Sequence, residues 1–463
     1  MRIHEIDVFD TSHSAGAIIW ALAWPAIVEQ ILQVMVNYVD SAMVGSLGAE
    51  ATASISINSS LIWLVNGLMN AIAIGFSVLM ARHLGAGHKN DAQNVVRQAI
   101  VCQLLFGIGA TIVMFSFAPF FPRWLGGDKE IWGSATSYMK GIAIGYIPSM
   151  LMIGESAMIR LSGDTKTPLL LNACNNIINI VLNFFFIFPE LSIFGLTIPS
   201  LGMGVAGAAI ATSISATITA LLLTLSLQQK GRNIRLEKHA SWKIDKRVQK
   251  SALLLALPVA MERVTLNLGQ IVLTRMVSVL GITALAAHYL ANTAEQFTFL
   301  PPTGFATAAT TLVAQTLGAD KEEMAKKYAD KCLLWGTVLV SCMGAIMYIL
   351  APSLIGMFTR ETAVVILGAT VLRIEAFGDP GFGLSQLVFG VLRGSGDTKL
   401  PFLVSLLGMW LIRLPLAAIL LKTTNLGLAS IWIAMMTDMV IRGIVSLLFY
   451  LKGTWLSGWK KQR

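Results

Sequence analysis

Acidic and amide side chains recur at helical spacing in an apolar stretch near the start of the chain. Successive members are separated by four, four and three residues, which places them along one face of a helix. The set comprises Glu29, Gln33, Asn37 and Asp40. A carboxylate exchanges protons, and carboxylate and amide oxygens also bind hard cations. This face therefore predicts a proton or cation site at Asp40, and the alternative is a buried carboxylate that only holds helices together.

Four asparagines form a second polar stripe in another apolar stretch, at separations of four, three and four residues. They are Asn172, Asn176, Asn179 and Asn183. Their amides both donate and accept hydrogen bonds, so they can hold a carboxylate or lend oxygens to Na⁺. Amides also join membrane helices without any further role, and that interpretation stays open for this stripe.

Six further acids lie in apolar stretches, where a charge is costly unless it faces a cavity or a partner. They are Glu155, Glu262, Glu295, Glu375, Asp379 and Asp438. Asp438 and Arg442 are four residues apart, so we expect them to pair along one helix. We interpret Glu29 and Glu262 first as structural acids near helix starts, with Arg413 as a candidate partner for Glu262.

These side chains belong to a chain with the composition of a membrane protein. Hydrophobic residues make up 55% of the 463 residues, charged residues only 13%, and the mean hydropathy is +0.70. A soluble domain has about 25% charged residues, so the composition excludes a soluble globule, and it also excludes a disordered chain. The net charge of +9 is carried between the apolar stretches, where it indicates membrane topology rather than nucleic-acid binding.

Long apolar stretches predict twelve transmembrane helices, because about 20 apolar residues cross a bilayer. The stretches are continuously apolar, whereas a barrel would show alternation. The predicted helices lie near residues 15–45, 54–82, 93–119, 132–160, 165–189, 202–229, 249–280, 286–316, 324–355, 362–392, 398–421 and 426–451. Lys and Arg concentrate on the side of the two termini, which predicts a multi-pass protein of the inner or plasma membrane with both termini in the cytoplasm.

A shift of 233 residues superimposes the two halves of the sequence. Pro25 and Glu29 fall on Pro258 and Glu262, and the register continues to Pro168 and its counterpart. Each half then holds six helices, and an even number of spans gives both halves the same orientation. We therefore predict an all-α membrane protein of two parallel six-helix repeats around a central cavity, an arrangement typical of transporters.

The repeat also predicts the domain organisation. We expect an N-terminal lobe of residues 1–230, a basic cytoplasmic linker of residues 231–248 and a C-terminal lobe of residues 249–463. The second repeat has Leu273 where the first has Asp40. The lobes are therefore not chemically equivalent, and the N-terminal lobe is the one predicted to couple to an ion.

Two motifs resemble those of multidrug and toxic compound extrusion (MATE) transporters. The first is Pro25 followed by the segment 39–48, Val-Asp-Ser-Ala-Met-Val-Gly-Ser-Leu-Gly. The second is the segment 392–399, Leu-Arg-Gly-Ser-Gly-Asp-Thr-Lys, with its twin at 160–166. The likeness runs over nearly the whole chain and occurs at both repeats. It implies a twelve-helix exporter of organic cations, such as drugs and dyes, driven by inward H⁺ or Na⁺.

The resemblance and the polar stripes together give the expected sites. The expected ion-coupling residues are Asp40, Asn37, Asn176, Asn179 and Asn183, with Asp40 and Asn179 holding the ion if it is Na⁺. The expected substrate-cavity residues are Gln33, Asn172, Glu262 and Asp379. We expect no cofactor apart from the coupling ion. The expected partners are bilayer lipids and small organic cations, with no nucleic acid, and the protein is expected to be a monomer.

Two positions of this chain depart from the patterns of particular branches of that family. One branch has an aspartate where this chain has Asn183, and another has a glutamate where it has Leu266.

Three other functions compete with export. The runner-up function is a flippase for a lipid-linked oligosaccharide precursor, which would need several basic residues facing a diphosphate. A membrane enzyme is disfavoured because the sequence has no HExxH, GxSxG or paired-histidine motif. A channel is disfavoured because no segment resembles a selectivity filter.

Overall fold

The computed structural model describes residues 5–10, 12–126, 128–193, 196–236, 241–453 and 455–456, and helices make up most of this structure. The helices are α1 (Ala15–Gly45), α2 (Ala49–Gly85), α3 (Lys89–Phe117), α4 (Phe121–Trp124), α5 (Trp132–Ile144), α6 (Tyr146–Leu161), α7 (Lys166–Ile187), α8 (Gly204–Leu227), α9 (Lys246–Ser278), α10 (Ile282–Gly318), α11 (Glu322–Gly356), α12 (Thr362–Glu375), α13 (Asp379–Gly394), α14 (Lys399–Leu407), α15 (Leu414–Thr423) and α16 (Leu428–Leu451). A 3₁₀ turn (Lys129–Ile131) precedes α5, and a π-helical turn (Gly408–Arg413) joins α14 to α15. Two short strands, β1 (Glu190–Ile193) and β2 (Leu196–Pro199), pair antiparallel after α7.

The helices follow the predicted order along the chain in two series of six. Nine spans among the described residues are long and apolar enough to cross a membrane, and α5 with α6, bent by 47°, makes a tenth. The long helix α10 and the broken pair α12–α13 complete the second series. The series are α1, α2, α3, α5–α6, α7 and α8, then α9, α10, α11, α12–α13, α14–α15 and α16. The predicted helical fold is confirmed, with boundaries displaced by a few residues.

Contacts group the chain into two compact units, and each unit takes in part of the first helix of the other repeat. The first unit comprises Met1–Ile6 and Val28–Ala256, and the second comprises Asp7–Ile27 and Leu257–Arg463. Helix α1 thus begins in the second unit and continues in the first, while α9 does the reverse. Both changes occur within three residues of a helical proline, Pro25 in α1 and Pro258 in α9. Proline removes a backbone hydrogen bond and allows a helix to bend.

Glycines allow the start of α1 to pack closely within the second unit. A Cβ on Gly304 of α10 would collide with Ile27, and one on Gly16 would collide with the ring of Trp335. The ring of Trp20 lies 6.1 Å from that of Phe305, the residue that follows Gly304. The Gly304-Phe305 pair therefore fixes a close helix–helix contact.

The two Ser-Gly-Asp-Thr-Lys loops form the same turn in each repeat. Gly163 and Gly396 have φ values of +105° and +82°, which glycine adopts without strain. The Asp164 carboxylate accepts the backbone N–H of Thr167 at 2.9 Å, and the Asp397 carboxylate accepts that of Leu400 at 3.1 Å. These aspartates therefore cap the helices that follow the loops, α7 and α14.

The first of these loops also carries a fully buried ion pair. Arg232, at the start of the predicted linker, donates to Asp164 Oδ2 at 3.0 Å, and both side chains have 0% exposure. The hydroxyl of Thr167 donates to the same oxygen at 2.5 Å, and Arg232 also donates to Ser226 Oγ at 2.8 Å. The start of the linker is thus anchored to α7 and α8.

Candidate functional site

Asp40, near the end of α1, lies against the asparagine stripe of α7. Asn183 Nδ2 donates a hydrogen bond of 2.7 Å to Asp40 Oδ1. Asn183 is buried, and its Oδ1 has no hydrogen-bond partner among the described residues. Asp40 itself is half-buried. The polar stripes of α1 and α7 thus meet at this end, and an unsatisfied amide oxygen lies next to the carboxylate.

The Asn179 amide lies between Asp40 and Thr212 of α8, and a flip of the amide can exchange its nitrogen and oxygen between two orientations. In one, its nitrogen donates to Asp40 Oδ1 at 3.0 Å and its oxygen accepts from the Thr212 hydroxyl at 3.2 Å. In the other, its nitrogen donates to Thr212 Oγ1 at 3.2 Å and its oxygen accepts from Asn183 at 3.2 Å. The first orientation suits an ionised Asp40. The second turns the Asn179 oxygen toward Asp40, so that the carboxyl group must carry a proton to bond with it.

An apolar cluster lies one helical turn from this polar group along α1, α7 and α8. The buried cluster comprises Met43, Val44, Ile187, Val205 and Ala208, with Tyr138 and Phe188 packed against it. Hydrogen bonds and charges act more strongly in such a low-dielectric environment than in water. A change in the charge of Asp40 therefore has a large effect on the groups that bond to it.

Other members of the two stripes do not join the Asp40 group. Gln33 and Asn37 are exposed, and in the described part of the chain no hydrogen bond links either side chain to Asp40. Asn37 provides its backbone oxygen to the hydroxyl of Ser41 at 2.7 Å. Asn176 is buried within α7. The geometry therefore brings together Asp40, Asn179 and Asn183 of the five predicted coupling residues.

The opposite end of the stripes holds an ion pair that is repeated in the second unit. Arg160 donates to Glu29 Oε1 at 2.6 Å, and Asn172 donates to the same oxygen at 2.6 Å. In the second repeat, Arg393 donates to Glu262 Oε2 at 2.9 Å and Ser405 to Oε1 at 3.3 Å. The equivalent residues of the two groups are each 233 positions apart. Glu29 and Glu262 thus lie in equivalent ion pairs that link α1 to α6 and α9 to α13, but near the middle of α1 and α9 rather than near their starts as predicted.

The predicted pairing of Glu262 with Arg413 is wrong. Arg413 lies in the π-helical turn and donates to Asp438 Oδ2 at 2.8 Å. Arg442 bonds the same oxygen, so the predicted Asp438–Arg442 pair is confirmed. Gly408, in the same π-helical turn, leaves the space that Asp438 and Arg442 occupy. The repeat register matches Arg160 to Arg393. This match is the feature of the sequence that could have identified Arg393 as the partner of Glu262.

Glu29→Gln and Glu262→Gln are expected to lower stability by similar amounts, because each leaves a buried arginine without its counter-ion. Removing one partner of a buried ion pair costs about 3–5 kcal/mol. The lower value is expected here, since the Arg160 and Glu29 side chains keep 18% and 12% exposure. The measurement is the apparent melting temperature of the purified protein, with Glu50→Gln, an exposed acid, as control. A loss at only one of the two positions would contradict their equivalence.

The second unit contains a separate group of buried acids. Glu295 of α10, Glu375 of α12 and Asp379 of α13 interact electrostatically and are all buried. The hydroxyl of Thr298 donates to Asp379 Oδ1 at 3.3 Å, and neither oxygen of Glu375 has a hydrogen-bond partner among the described residues. Gly344 of α11 leaves room for the Asp379 carboxylate. The sequence identified each acid but did not predict that the three lie together. The only indication of this was the spacing of four residues between Glu375 and Asp379.

The fold and these sites together define a class of protein. Two series of six membrane helices, with carboxylates and amides buried among the helices of each unit, are the architecture of a membrane transporter. Comparison with known proteins identifies the family. The MatE family model matches residues 25–185 and 258–419, two segments that begin 233 residues apart. The chain therefore belongs to the MatE family of multidrug efflux transporters, and it is not an enzyme, as the sequence resemblance predicted.

Individual relatives agree with this assignment over 92% of their own length. The "Probable multidrug resistance protein NorM" of Thermotoga maritima is 28% identical over 94% of this chain and 92% of its own. The "Uncharacterized transporter YisQ" of Bacillus subtilis is 24% identical over 92% of each chain. Solved structures share the fold at 21% identity. A MATE protein in complex with MaD3S has a TM-score of 0.88 and covers 97% of this chain and 98% of its own. A multidrug resistance MATE family transporter in an outward-facing conformation has the same TM-score and covers 97% of both chains.

Proposed function

We propose that this protein is a secondary antiporter that exports organic cations in exchange for inward H⁺ or Na⁺, with Asp40 as the coupling carboxylate. The observation that carries the proposal is the half-buried Asp40 carboxylate, which accepts a hydrogen bond from the Asn183 amide and lies beside the Asn179 amide and an apolar cluster. A half-buried carboxylate in an apolar span is a candidate for function as well as for packing, because its charge is costly in hydrocarbon. We also place the protein in the inner or plasma membrane with both termini in the cytoplasm.

For H⁺ coupling, the two orientations of the Asn179 amide supply a physical switch. An ionised Asp40 accepts from the Asn179 nitrogen, whereas a protonated Asp40 donates to the Asn179 oxygen. The reversal changes the hydrogen bond between Asn179 and Thr212, so one proton alters contacts among α1, α7 and α8. Ion uptake biases a conformational equilibrium only by its differential affinity for the two states. Movement of one charge through 100 mV supplies about 2.3 kcal/mol for that purpose.

For Na⁺ coupling, the same residues supply oxygen ligands. Asp40 offers its carboxylate, and Asn183 offers the buried Oδ1 that has no hydrogen-bond partner among the described residues. Asn179 contributes its amide oxygen in one of its two orientations. Oxygen ligands of this kind suit a hard cation, so both ions stay within the proposal.

The proposed substrate-cavity residues differ in whether their polar atoms already take part in ion pairs or hydrogen bonds. Asp379 belongs to the buried group with Glu295 and Glu375, whose carboxyl oxygens can accept hydrogen bonds from an organic cation or pair with it. Gln33 is exposed on α1. Asn172 and Glu262 bond the repeated ion pairs, so we propose that they support the cavity wall rather than contact the substrate.

The alternative proposal, a flippase for a lipid-linked oligosaccharide precursor, needs basic groups that are free to meet a diphosphate. Arg413 and Arg442 both bond Asp438. Arg373 lies 5.6 Å from the centre of the Tyr348 ring, and Lys140 lies 5.3 Å from that of Phe115. These interactions engage four of the basic residues within the spans, which favours cation export over binding of a diphosphate.

The test is transport of the cationic dye ethidium into proteoliposomes under a pH gradient and a Na⁺ gradient imposed separately. We expect one gradient to drive dye movement above the rate in liposomes without protein, and the active gradient identifies the coupling ion. Proteoliposomes without any gradient serve as the control. Dye movement that neither gradient accelerates, in protein that retains its melting transition, would contradict the antiport proposal.

A further inference from the structure

A pocket within the second unit lies between α9 and α10, and none of the acids described above is among its lining residues. It has a volume of about 640 Å³, which is the size of a pocket for a drug-like molecule. Its lining is largely apolar and includes Ile282, Leu285 and Tyr289. Two polar residues of α10, His288 and Asn292, also line it and lie one helical turn apart.

The hydrogen bonds of His288 determine which of its ring nitrogens carries the proton. Trp432 Nε1 donates to His288 Nδ1 at 3.1 Å. An indole N–H is a donor only, so Nδ1 must accept and has no proton. A neutral imidazole keeps one proton, which therefore lies on Nε2. The buried Trp432 thus makes Nε2–H a hydrogen-bond donor.

Asn292 places a second donor beside the first. Its Nδ2 donates to the backbone oxygen of His288 at 2.7 Å, which fixes the orientation of the amide. The same nitrogen lies 3.1 Å from His288 Nε2. Two N–H groups therefore face each other, and neither can accept from the other. An unsatisfied donor at a buried site is costly, and His288 has only 4% exposure. An oxygen that accepts from both groups would satisfy them.

We propose that this pocket binds the apolar, aromatic part of an exported compound whose carbonyl or carboxylate oxygen accepts hydrogen bonds from His288 Nε2 and Asn292 Nδ2. The description of the ligand as an exported compound rests on the proposed function. The apolar side chains and the exposed Tyr289 ring suit a planar body, and the two neutral donors select an acceptor oxygen. The carboxyl groups near Asp379 suit a cationic group, so the two donors of the pocket add a second criterion for the compound.

The test compares two dyes that differ by one acceptor group, 9-aminoacridine and its 3-carboxamide. Binding to the purified protein in nanodiscs is measured by fluorescence anisotropy without any ion gradient. We expect the carboxamide to bind about tenfold more tightly, the effect of one or two neutral hydrogen bonds. Equal affinities for the two dyes would overturn the proposal.

Two substitutions separate this interaction from general packing. Asn292→Leu removes one donor at nearly constant volume. Trp432→Phe removes the indole N–H, so that His288 can protonate Nδ1 and use Nε2 to accept from Asn292. Both are expected to abolish the preference for the carboxamide over 9-aminoacridine. Asn292→Leu alone keeps the test valid if the loss of the buried Trp432 side chain impairs folding.

The matched control is Asn70→Leu. The Asn70 amide donates to the backbone oxygen of Asn66 at 2.9 Å, which is the bond that Asn292 makes to His288, but on an exposed face of α2. This variant should keep the full preference. A preference that survives Asn292→Leu would contradict the proposal. Intact preference in a protein without gradient-driven dye transport would overturn the export function and leave the pocket assignment standing.

Discussion

Asp40→Asn is expected to reduce gradient-driven ethidium transport to the rate of liposomes without protein, while the amount of folded protein stays the same. The substitution preserves the shape of the side chain, and its amide oxygen can accept the bond from Asn183 Nδ2 that now measures 2.7 Å. It removes the change between charged and neutral forms, and it removes a charged ligand for Na⁺. Transport is measured under the gradient that drives the wild-type protein.

The control for this prediction is Glu50→Gln, which removes an exposed acid at the start of α2 and should transport at the wild-type rate. The melting temperature of Asp40→Asn should stay within a few degrees of the wild-type value. Normal transport by Asp40→Asn would exclude Asp40 as the coupling carboxylate. Lost transport together with a large fall in melting temperature would instead indicate that Asp40 only holds α1 against α7.

Arg232→Met is expected to cause the largest loss of stability, because it leaves the Asp164 carboxylate buried without a counter-ion. Both side chains have 0% exposure, and the nitrogen–oxygen distance is 3.0 Å. Removing one member of such a pair costs about 3–5 kcal/mol, since the remaining charge cannot reach water. Thr167 still donates its N–H and its hydroxyl to Asp164, so the loss reflects the missing charge. The measurement is the apparent melting temperature of the purified protein.

A second substitution distinguishes the missing charge from lost packing. Asp164→Asn combined with Arg232→Met removes both charges and should recover most of the stability lost by Arg232→Met alone. Arg247→Met, an exposed basic residue at the start of α9, should have almost no effect. A double variant as unstable as the single one would show that packing of the Arg232 side chain, rather than its charge, stabilises the loop.

The helices and the repeat could be predicted from the sequence because both depend on local properties. The length and hydropathy of a stretch determine whether it can cross a bilayer, so the predicted helix at 15–45 coincides with α1. The 233-residue register is confirmed by the two matches to the MatE family model. The Asp438–Arg442 pair was also predictable, since residues four apart on a helix are neighbours.

The partners of the other buried charges were decided by the tertiary structure. Glu262 bonds Arg393, 131 residues away, and Arg413 bonds Asp438 instead. The sequence determined that α1 and α7 each carry a polar stripe, but not that Asn179 and Asn183, rather than Gln33 and Asn37, surround Asp40. It likewise contained His288 and Asn292 without showing that Trp432 sets the proton of the imidazole. Spacing defines the face on which a side chain lies, whereas its partner depends on which helices pack together, and hydropathy does not specify that packing.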